Sequence, residues 1–178
     1  MPALHRLPHR LDPETGVCRA VIETPRGRRS KYDFDPETGA FELAGLLPEG
    51  MAFPLDFGFI PSTRAEDGDP LDVLVLFDEP CAVGAVLSVR LIGVIEADQT
   101  EHGNTVRNDR LIAAACASRL YAPVREAADL GDDYLRHLQA FWTQYNALKD
   151  KRFDVRAVRG REAAVAAVRR TELDASAA

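Results

Sequence analysis

Three aspartates, Asp67, Asp69 and Asp72, fall within six positions of one short stretch. Asp-Gly and Asp-Pro dipeptides separate them, which predicts a turn, and the apolar run from residue 73 to 77 predicts a buried strand directly after it. Like charges this close repel each other and raise each other's pKa, and a cation between them removes that cost. Hard divalent ions such as Mg²⁺ prefer carboxylate oxygens and keep several waters. The stretch is therefore a candidate metal site, and a solvated acidic turn is the simpler alternative.

The composition is that of an ordinary globular protein. The 178 residues suffice for one domain with a buried core, and 46% of them are hydrophobic and 28% charged. The formal net charge of -6 disfavours nucleic acid and anionic membranes as partners, because both attract basic proteins. The same charge suits a protein that holds metal cations.

Cysteine usage and hydropathy favour the cytoplasm. Cys18, Cys81 and Cys116 show neither a CxxC pair nor a zinc spacing, and their odd number indicates reduced thiols. Residues 1–10 lack the apolar run of a secretion signal, and no stretch approaches the roughly 18 apolar residues of a membrane span. The histidines show no ligand pattern, and we interpret all of them as surface residues: His5, His9, His102 and His137.

Hydrophobic periodicity predicts many short strands followed by a helix. The strand candidates are 18–24, 30–34, 40–47, 73–77, 83–97, 106–115 and 153–158. A helix is predicted from residue 132 or 133 to about 149, because apolar residues recur there every three or four positions. A short Ala-rich helix is predicted over 161–173, with residues 1–16 as an irregular arm and 174–178 as a frayed tail.

Two local features refine this prediction. Gly93 lies inside a long strand candidate and predicts a bend or bulge. The segment 51–61 has phenylalanines at alternate positions but also Pro54 and Pro61, so we do not expect it to be a central strand. The elements together predict a β-rich α+β domain over residues 1–178, either a barrel or a sandwich with helices.

The acidic turn also resembles a known signature. Residues 67–73, DGDPLDV, are similar to the signature of the family I soluble inorganic pyrophosphatases, and the resemblance extends over roughly residues 17–160. It implies a small OB-like barrel of five strands, with a long C-terminal helix packed on it and a second short helix. The topology is thus implied by the resemblance, since periodicity alone leaves barrel and sandwich open.

The resemblance implies a role for each carboxylate of the turn. Asp69 matches the carboxylate that takes the proton from the attacking water. Asp67 and Asp72 match metal ligands, and Glu23 matches a further metal ligand near the end of the first strand. The implied cofactor is Mg²⁺, as several ions.

Other residues are implied to bind phosphate. Lys31, followed by Tyr32 and Asp33, matches a Lys-Tyr-acid motif, although the family usually has Glu where Asp33 stands. Tyr145, on the long predicted helix, matches a tyrosine that hydrogen-bonds phosphate. Lys149 on the same helix is a basic residue that could rebuild a missing contact, as could Arg26, Arg28, Arg29 or Arg107.

Around residue 108 two registers remain open. In strict register Asn108 replaces a metal-bound Asp and Arg110 replaces a phosphate-binding Lys, whereas a shift by one residue places Asp109 at the metal. An acidic pair in the preceding loop is represented by Glu101, with Asp98 as an alternative. The predicted metal ligands are Asp67, Asp72, Glu23, Glu101 and Asp109, and the predicted substrate-binding residues are Lys31, Arg110, Tyr145 and Lys149.

Three further positions depart from the family pattern. Gly45 stands near the place of an Arg, Phe57 replaces a phosphate-binding Tyr, and Asn146 replaces a Lys. These changes remove two or three phosphate contacts, so the chain resembles a divergent branch of the family.

The resemblance implies a homo-oligomer that hydrolyses inorganic diphosphate to two phosphates with a metal-activated water, and the cysteine usage favours the cytoplasm. Two alternatives remain. The lost Arg and Tyr contacts allow a related phosphohydrolase that acts on another small phosphoanhydride. A non-catalytic OB-like binding module is the other, although a single-strand binder needs a basic groove with exposed aromatic residues, and this chain is acidic.

Overall fold

The computed structural model describes residues 4–173. Short 3₁₀ turns lie at Leu4–Arg6 and Ala127–Leu130. The regular elements are β1 (Val17–Thr24), β2 (Ser30–Asp35), β3 (Ala40–Leu46), β4 (Asp56–Phe59), β5 (Asp72–Leu76), β6 (Val86–Glu101), β7 (Asn104–Arg107), β8 (Arg110–Ala115), α1 (Asp132–Ala147), β9 (Arg152–Gly160) and α2 (Arg161–Thr171). The tail predicted over 174–178 falls outside the described residues. None of the helices in the described range has the length and apolarity required to cross a membrane.

Five strands form a closed ring. They are hydrogen-bonded in the order β1, β4, β5, β8 and β6, and β6 returns to β1. All neighbours in the ring are antiparallel except β5 and β8. Strands β7 and β9 pair with β6 outside the ring, and β2 and β3 form a separate hairpin. The predicted five-stranded arrangement with two helices is confirmed.

The core divides between the two faces of the ring. Successive side chains of a strand point to opposite faces, so Val73 and Val75 of β5 join one apolar cluster and Leu74 and Leu76 join the other. Helix α2 packs on the first cluster and α1 on the second. Each buried Val or Leu side chain contributes about 1.5–3 kcal/mol of hydrophobic stabilisation, so the strand that follows the acidic turn is firmly anchored.

The expectation that the segment 51–61 would not supply a central strand was wrong. Its residues 56–59 form β4, which lies between β1 and β5. The two prolines stand outside these four residues, so they remove no hydrogen bond from the ladder. Gly58 also matters, since a Cβ there would collide with the backbone of Val21 on β1.

The predicted strand 106–115 is in fact two strands, and the preceding loop is shorter than expected. Strand β6 continues to Glu101, and His102 and Gly103 turn the chain with φ angles of 50° and 80°. Two residues with positive φ are the geometry of a tight hairpin turn, and β7 then pairs back on β6. Residues 108 and 109 separate β7 from β8. The bulge predicted at Gly93 is confirmed, as the register of β6 against β8 shifts there.

Candidate active site

The signature turn opens into a cavity of about 550 Å³. Its walls come from the turn, the first β-hairpin, strands of the ring, α1 and the residues that follow α1. Five carboxylates line it, Glu23, Asp33, Asp67, Asp69 and Asp72, together with five Lys or Arg cations, Lys31, Arg64, Arg110, Lys149 and Lys151. A cavity lined by charges of both signs can hold an anion together with cations.

The turn itself presents two exposed carboxylates to this cavity. The backbone N–H of Asp69 donates to Oδ1 of Asp67 at 3.2 Å, and the carbonyl of Asp69 accepts from the N–H of Ala65 at 2.7 Å. Gly68 between them has a φ of 95°, which side chains rarely tolerate. The turn is therefore fixed by its backbone, and the side chain of Asp69 remains directed at the cavity.

Glu23 lies deeper and faces the same turn. Its side chain is buried, and Oε1 accepts the backbone N–H of Phe34 at 2.8 Å. Burial raises the pKa of Glu23 to about 7, and the negative charges of Asp72 and Asp69 add to the shift, while the Phe34 N–H and Lys31 oppose it. Carboxylates far apart in sequence are thus close enough to repel each other.

Lys31 lies on the hairpin side of the cavity. Its Nζ forms an ion pair with the carboxylate of Asp33 and lies 5.6 Å from the centre of the Phe57 ring. Burial lowers the pKa of Lys31, although the charges of Glu23 and Asp72 partly compensate. The amine is thus placed between carboxylates and an aromatic face, where an anion can approach it.

Arg110 begins β8 and lies opposite the turn. Its guanidinium Cζ is 5.0 Å from the centre of the Trp142 ring and 5.5 Å from that of Phe153. Nη1 forms an ion pair with Oδ2 of Asp72 and donates to Oδ1 of Asn108. The parallel register pairs Asp72 directly with Arg110, so the sheet itself brings the two charges together.

Helix α1 completes the site with Tyr145. The Tyr145 hydroxyl oxygen is buried and has no hydrogen-bond partner among residues 4–173, and burial raises the pKa of the phenol. Lys149, beyond the helix, has its Nζ 4.6 Å from the centre of the Tyr145 ring. A buried hydroxyl without a partner is costly unless a ligand satisfies it, which supports a binding role.

The chain matches one family model over most of its length. The family model described as inorganic pyrophosphatase matches residues 20–175. The chain belongs to the inorganic pyrophosphatase family. The family resemblance and the OB-like fold inferred from the sequence are therefore both confirmed.

Individual pyrophosphatases show how close this relationship is. The inorganic pyrophosphatase of Thermus thermophilus is 36% identical over 156 residues, which cover 86% of this chain and 87% of that protein. That of Synechocystis is 34% identical over 148 residues, covering 83% and 84%. The Thermus thermophilus crystal structure superposes with a TM-score of 0.85 over 94% of this chain and 95% of that one. The Neisseria gonorrhoeae pyrophosphatase has a TM-score of 0.84 at 27% identity, with the same coverage.

Eight of the ten predicted site residues of this pyrophosphatase line the cavity, namely Glu23, Lys31, Asp67, Asp69, Asp72, Arg110, Tyr145 and Lys149. Two others do not. Asp109 accepts from the Ala97 backbone N–H at 3.1 Å and pairs with Arg107. Glu101 pairs with Lys151 at 2.8 Å, and it is Lys151 that reaches the cavity.

The placement of Asp109 has a simple cause. Neighbouring residues of an extended chain point to opposite sides, so the side chains of Asn108 and Asp109 cannot both face the cavity. Asn108 lines it, and its Nδ2 donates to Oε1 of Gln99 at 3.2 Å. Of the two registers that the sequence left open, the strict one describes the cavity, and the wall at this point is formed by amides.

Sequence reasoning also missed some lining residues. Gln99 and Lys151 were not singled out, although alternation along β6 and the basic residues after α1 were available signals. The interpretation of all histidines as surface residues was wrong for His9, which is buried with its Nε2 3.1 Å from Oε1 of Glu172. His5 is partly exposed and lines the cavity. Both lie in the arm, where no periodicity indicates either position.

The donor set suits a hard divalent ion, although it is not drawn together around one point. Within residues 4–173 no three His, Cys, Asp or Glu side chains form a compact metal cluster. Glu23, Asp67 and Asp72 nevertheless supply carboxylate oxygens to one cavity, and oxygen is the donor that Mg²⁺ prefers. The pKa of Glu23 is raised chiefly by burial and further by the charges of Asp72 and Asp69, and a cation would offset both effects, so these residues fit the ion.

Proposed function

We propose that this pyrophosphatase hydrolyses inorganic diphosphate to two phosphates. The observation that carries the proposal is the cavity, which sets the signature carboxylates against Lys31, Arg110 and Lys149 and the unpartnered hydroxyl of Tyr145. The relatives that match most of the chain are named inorganic pyrophosphatases. Both the family and the distribution of charge favour a small polyanion as substrate.

Asp69 is the proposed general base. Its side chain is exposed to the cavity, and in the described part of the chain no donor is hydrogen-bonded to its carboxylate. The carboxylate is thus available to accept the proton of an attacking water. Asp67, next to it, is held by the Asp69 backbone N–H, which makes it the less suitable of the two for this step.

The opposite side of the cavity is proposed to bind the phosphates. Lys31 and Arg110 are cations with little solvent around them, with side chains only 15% and 6% exposed. Their charges would stabilise the negative charge that develops on the departing phosphate. Tyr145 would donate a hydrogen bond, and Lys149 would supply a further charge at the cavity rim.

The proposed cofactor is Mg²⁺, as more than one ion, held by Glu23, Asp67 and Asp72. When bound, Mg²⁺ would neutralise the diphosphate and lower the pKa of the attacking water. Glu101 and Asp109 are excluded from the proposed ligands, because their carboxylates are paired outside the cavity. This leaves fewer carboxylate ligands than the sequence had predicted.

We also propose that the whole chain acts as a single domain in the cytoplasm and forms a homo-oligomer. Both helices pack on the same ring of strands, which supports a single domain. The acidic net charge of -6 disfavours nucleic acid or a membrane surface as a partner. Leu43 and Leu46 on β3 are exposed by 65% and 66%, which suits contact with a second copy.

Phosphate release tests the proposed activity directly. The purified chain is incubated with diphosphate with and without Mg²⁺, and with tripolyphosphate and ATP as other anhydrides. We expect Mg²⁺-dependent release from diphosphate that exceeds release from the other two. Release from another anhydride alone would replace the proposed substrate, and no release from any of them would reject the activity.

A further inference from the structure

The cavity already contains as many cationic side chains as carboxylates, five of each. A site built only to collect divalent ions gains from unpaired carboxylates, since each opposite charge nearby lowers the attraction for a further cation. The attraction of the cavity for Mg²⁺ therefore depends on which carboxylates are already paired with a cation of the protein. In the described part of the chain, Asp72 is paired with the deeply buried Arg110.

The pairing of two strands places Asp72 beside Arg110. The two residues are paired in the parallel register of β5 and β8, and Nη1 of Arg110 contacts Oδ2 of Asp72. Among residues 4–173, Asp72 is the carboxylate within ion-pair distance of this guanidinium. The Arg110 side chain is 6% exposed and lies against the rings of Trp142 and Phe153, so little water reaches the guanidinium.

The second contact of Arg110 is neutral. Nη1 also donates to Oδ1 of Asn108 and, at 3.3 Å, to the carbonyl of Asp109. The Asn108 amide is itself fixed by Gln99 at 3.2 Å. Neither Asn108 nor Gln99 adds negative charge to this wall. The carboxylate that Arg110 contacts is therefore that of Asp72.

We propose that Arg110 is a resident cation of this cavity, which neutralises Asp72 in the free protein and so competes with a divalent ion for that carboxylate. A divalent ion that binds Asp72 meets a carboxylate whose charge is already balanced by the guanidinium, so the chain binds Mg²⁺ more weakly than its carboxylates alone would. This inference rests on the proposed role of Mg²⁺, and it concerns the free protein rather than catalysis.

The test is a Mg²⁺ titration by calorimetry of the diphosphate-free protein. Arg110→Gln removes the charge and keeps a polar side chain that can still bond Asn108. We expect Mg²⁺ to bind about tenfold more tightly or better, on the scale of one charged hydrogen bond. Arg110→Lys keeps the charge but loses the planar fork, so its affinity should lie between those of the parent and Arg110→Gln.

A matched control separates this effect from general electrostatics. Lys151→Gln removes one positive charge from the same cavity, but Lys151 pairs with Glu101 and not with Asp72. We expect it to change Mg²⁺ affinity by less than about threefold, as a partly exposed charge does. Equal gains in Lys151→Gln and Arg110→Gln would overturn the proposal.

A double-mutant cycle provides the second readout. In an Asp72→Asn background Arg110 has no carboxylate in contact, so adding Arg110→Gln should change Mg²⁺ affinity by no more than the roughly threefold expected for Lys151→Gln. A larger gain there would also overturn the proposal. Thermal melts without metal establish that each variant is folded. If Arg110→Gln is not folded, the Mg²⁺ affinity of Arg110→Lys is compared with that of the parent instead.

The two proposals fail in different ways. A parent chain that binds no Mg²⁺ at all would remove the proposed cofactor and this inference with it. A parent that binds Mg²⁺ and whose affinity is unaffected by Arg110→Gln would remove the resident cation only, leaving the proposed hydrolysis intact.

Discussion

The two walls of the cavity differ in whether their polar groups are exposed or are paired within the protein. On the turn, Asp67 and Asp69 are exposed and make few bonds beyond their own backbone. On the opposite wall, which we call the β8 wall, Arg110 at the start of β8 and Asn108 just before it are buried, and each is bonded to a neighbour. The turn presents charge to whatever enters the cavity, whereas the β8 wall balances charge within the protein. A substitution on the turn should therefore alter chemistry with little effect on stability, whereas one on the β8 wall should alter stability and metal affinity as well as phosphate binding.

The largest effect is expected on the turn. Asp69→Asn removes the proposed proton acceptor and should lower kcat for diphosphate by about 10²–10⁴-fold. The fold should persist, because the side chain is exposed. Glu66→Gln is the matched control, since it removes a charge from the same turn outside the cavity and can still accept the Arg107 backbone N–H. A variant Asp69→Asn that turns over at the parental rate would assign the base to another residue.

The next effect concerns Glu23 and depends on pH. Its folded pKa is raised from 4.5 to about 7, chiefly by burial, so its ionised form is disfavoured in the folded protein. The stabilisation associated with the protonated form is present at low pH and is lost as the pH rises from about 4.5 through 7.

Glu23→Gln abolishes this titration. The comparison is made in the presence of a metal chelator. Between pH 4 and 8 the free energy of unfolding of the parent should fall by about 3 kcal/mol relative to that of Glu23→Gln. Denaturant unfolding at several pH values measures the difference. Glu42→Gln, an exposed carboxyl on β3, serves as the control. Parallel pH curves for parent and Glu23→Gln would show that Glu23 does not lie in the crowded environment described here.

Lys31 combines features of both walls, because it is largely buried like Arg110 and yet directed at the cavity like Asp69. Lys31→Ala should lower kcat/KM by roughly 1.5–3 kcal/mol, the scale of a charged hydrogen bond. Arg28→Ala removes an exposed cation from the loop before β2 and should leave kcat/KM nearly unchanged. If Lys31→Ala behaved like Arg28→Ala, other basic residues would have to hold the phosphate.

The smallest effect is expected for Asp72→Asn in the absence of metal, and its sign separates the two walls. A crowded acidic turn alone predicts that removing one carboxylate stabilises the protein. The ion pair with Arg110 reverses this, because a buried guanidinium would lose its anionic partner. We expect a loss of about 1–2 kcal/mol, since Asp72 is 23% exposed and partly screened. A gain in melting temperature would show that repulsion dominates at Asp72.

The sequence predicted those features that depend on residues close together in the chain. The turn was recognised because Asp, Gly and Pro at this spacing restrict the backbone directly. Helix α1 was predicted to within two residues, because its apolar positions follow the helical period. Lys31 and Tyr145 were identified by resemblance, and both line the cavity.

Sequence reasoning failed where pairing between distant strands decides the outcome. Residues 56–59 become a central strand because Gly58 allows β1 to approach. Position 108 faces the cavity and position 109 does not, since a shift of one residue exchanges the two sides of a strand. Glu101 is drawn to Lys151, which follows α1 and lies far away in sequence.

The sequence by itself determined the family, the acidic turn and the kinds of side chain available for catalysis, because these depend on residue types at short, fixed spacing. Only the tertiary structure decided which charges meet. Asp72 and Arg110 are 38 positions apart in the chain, and nothing local to either predicts their ion pair. The parallel pairing of β5 with β8 places them side by side, and burial against Trp142 keeps them together. The physical reason is that electrostatic energy depends on distance and burial, and neither is set before the sheet closes.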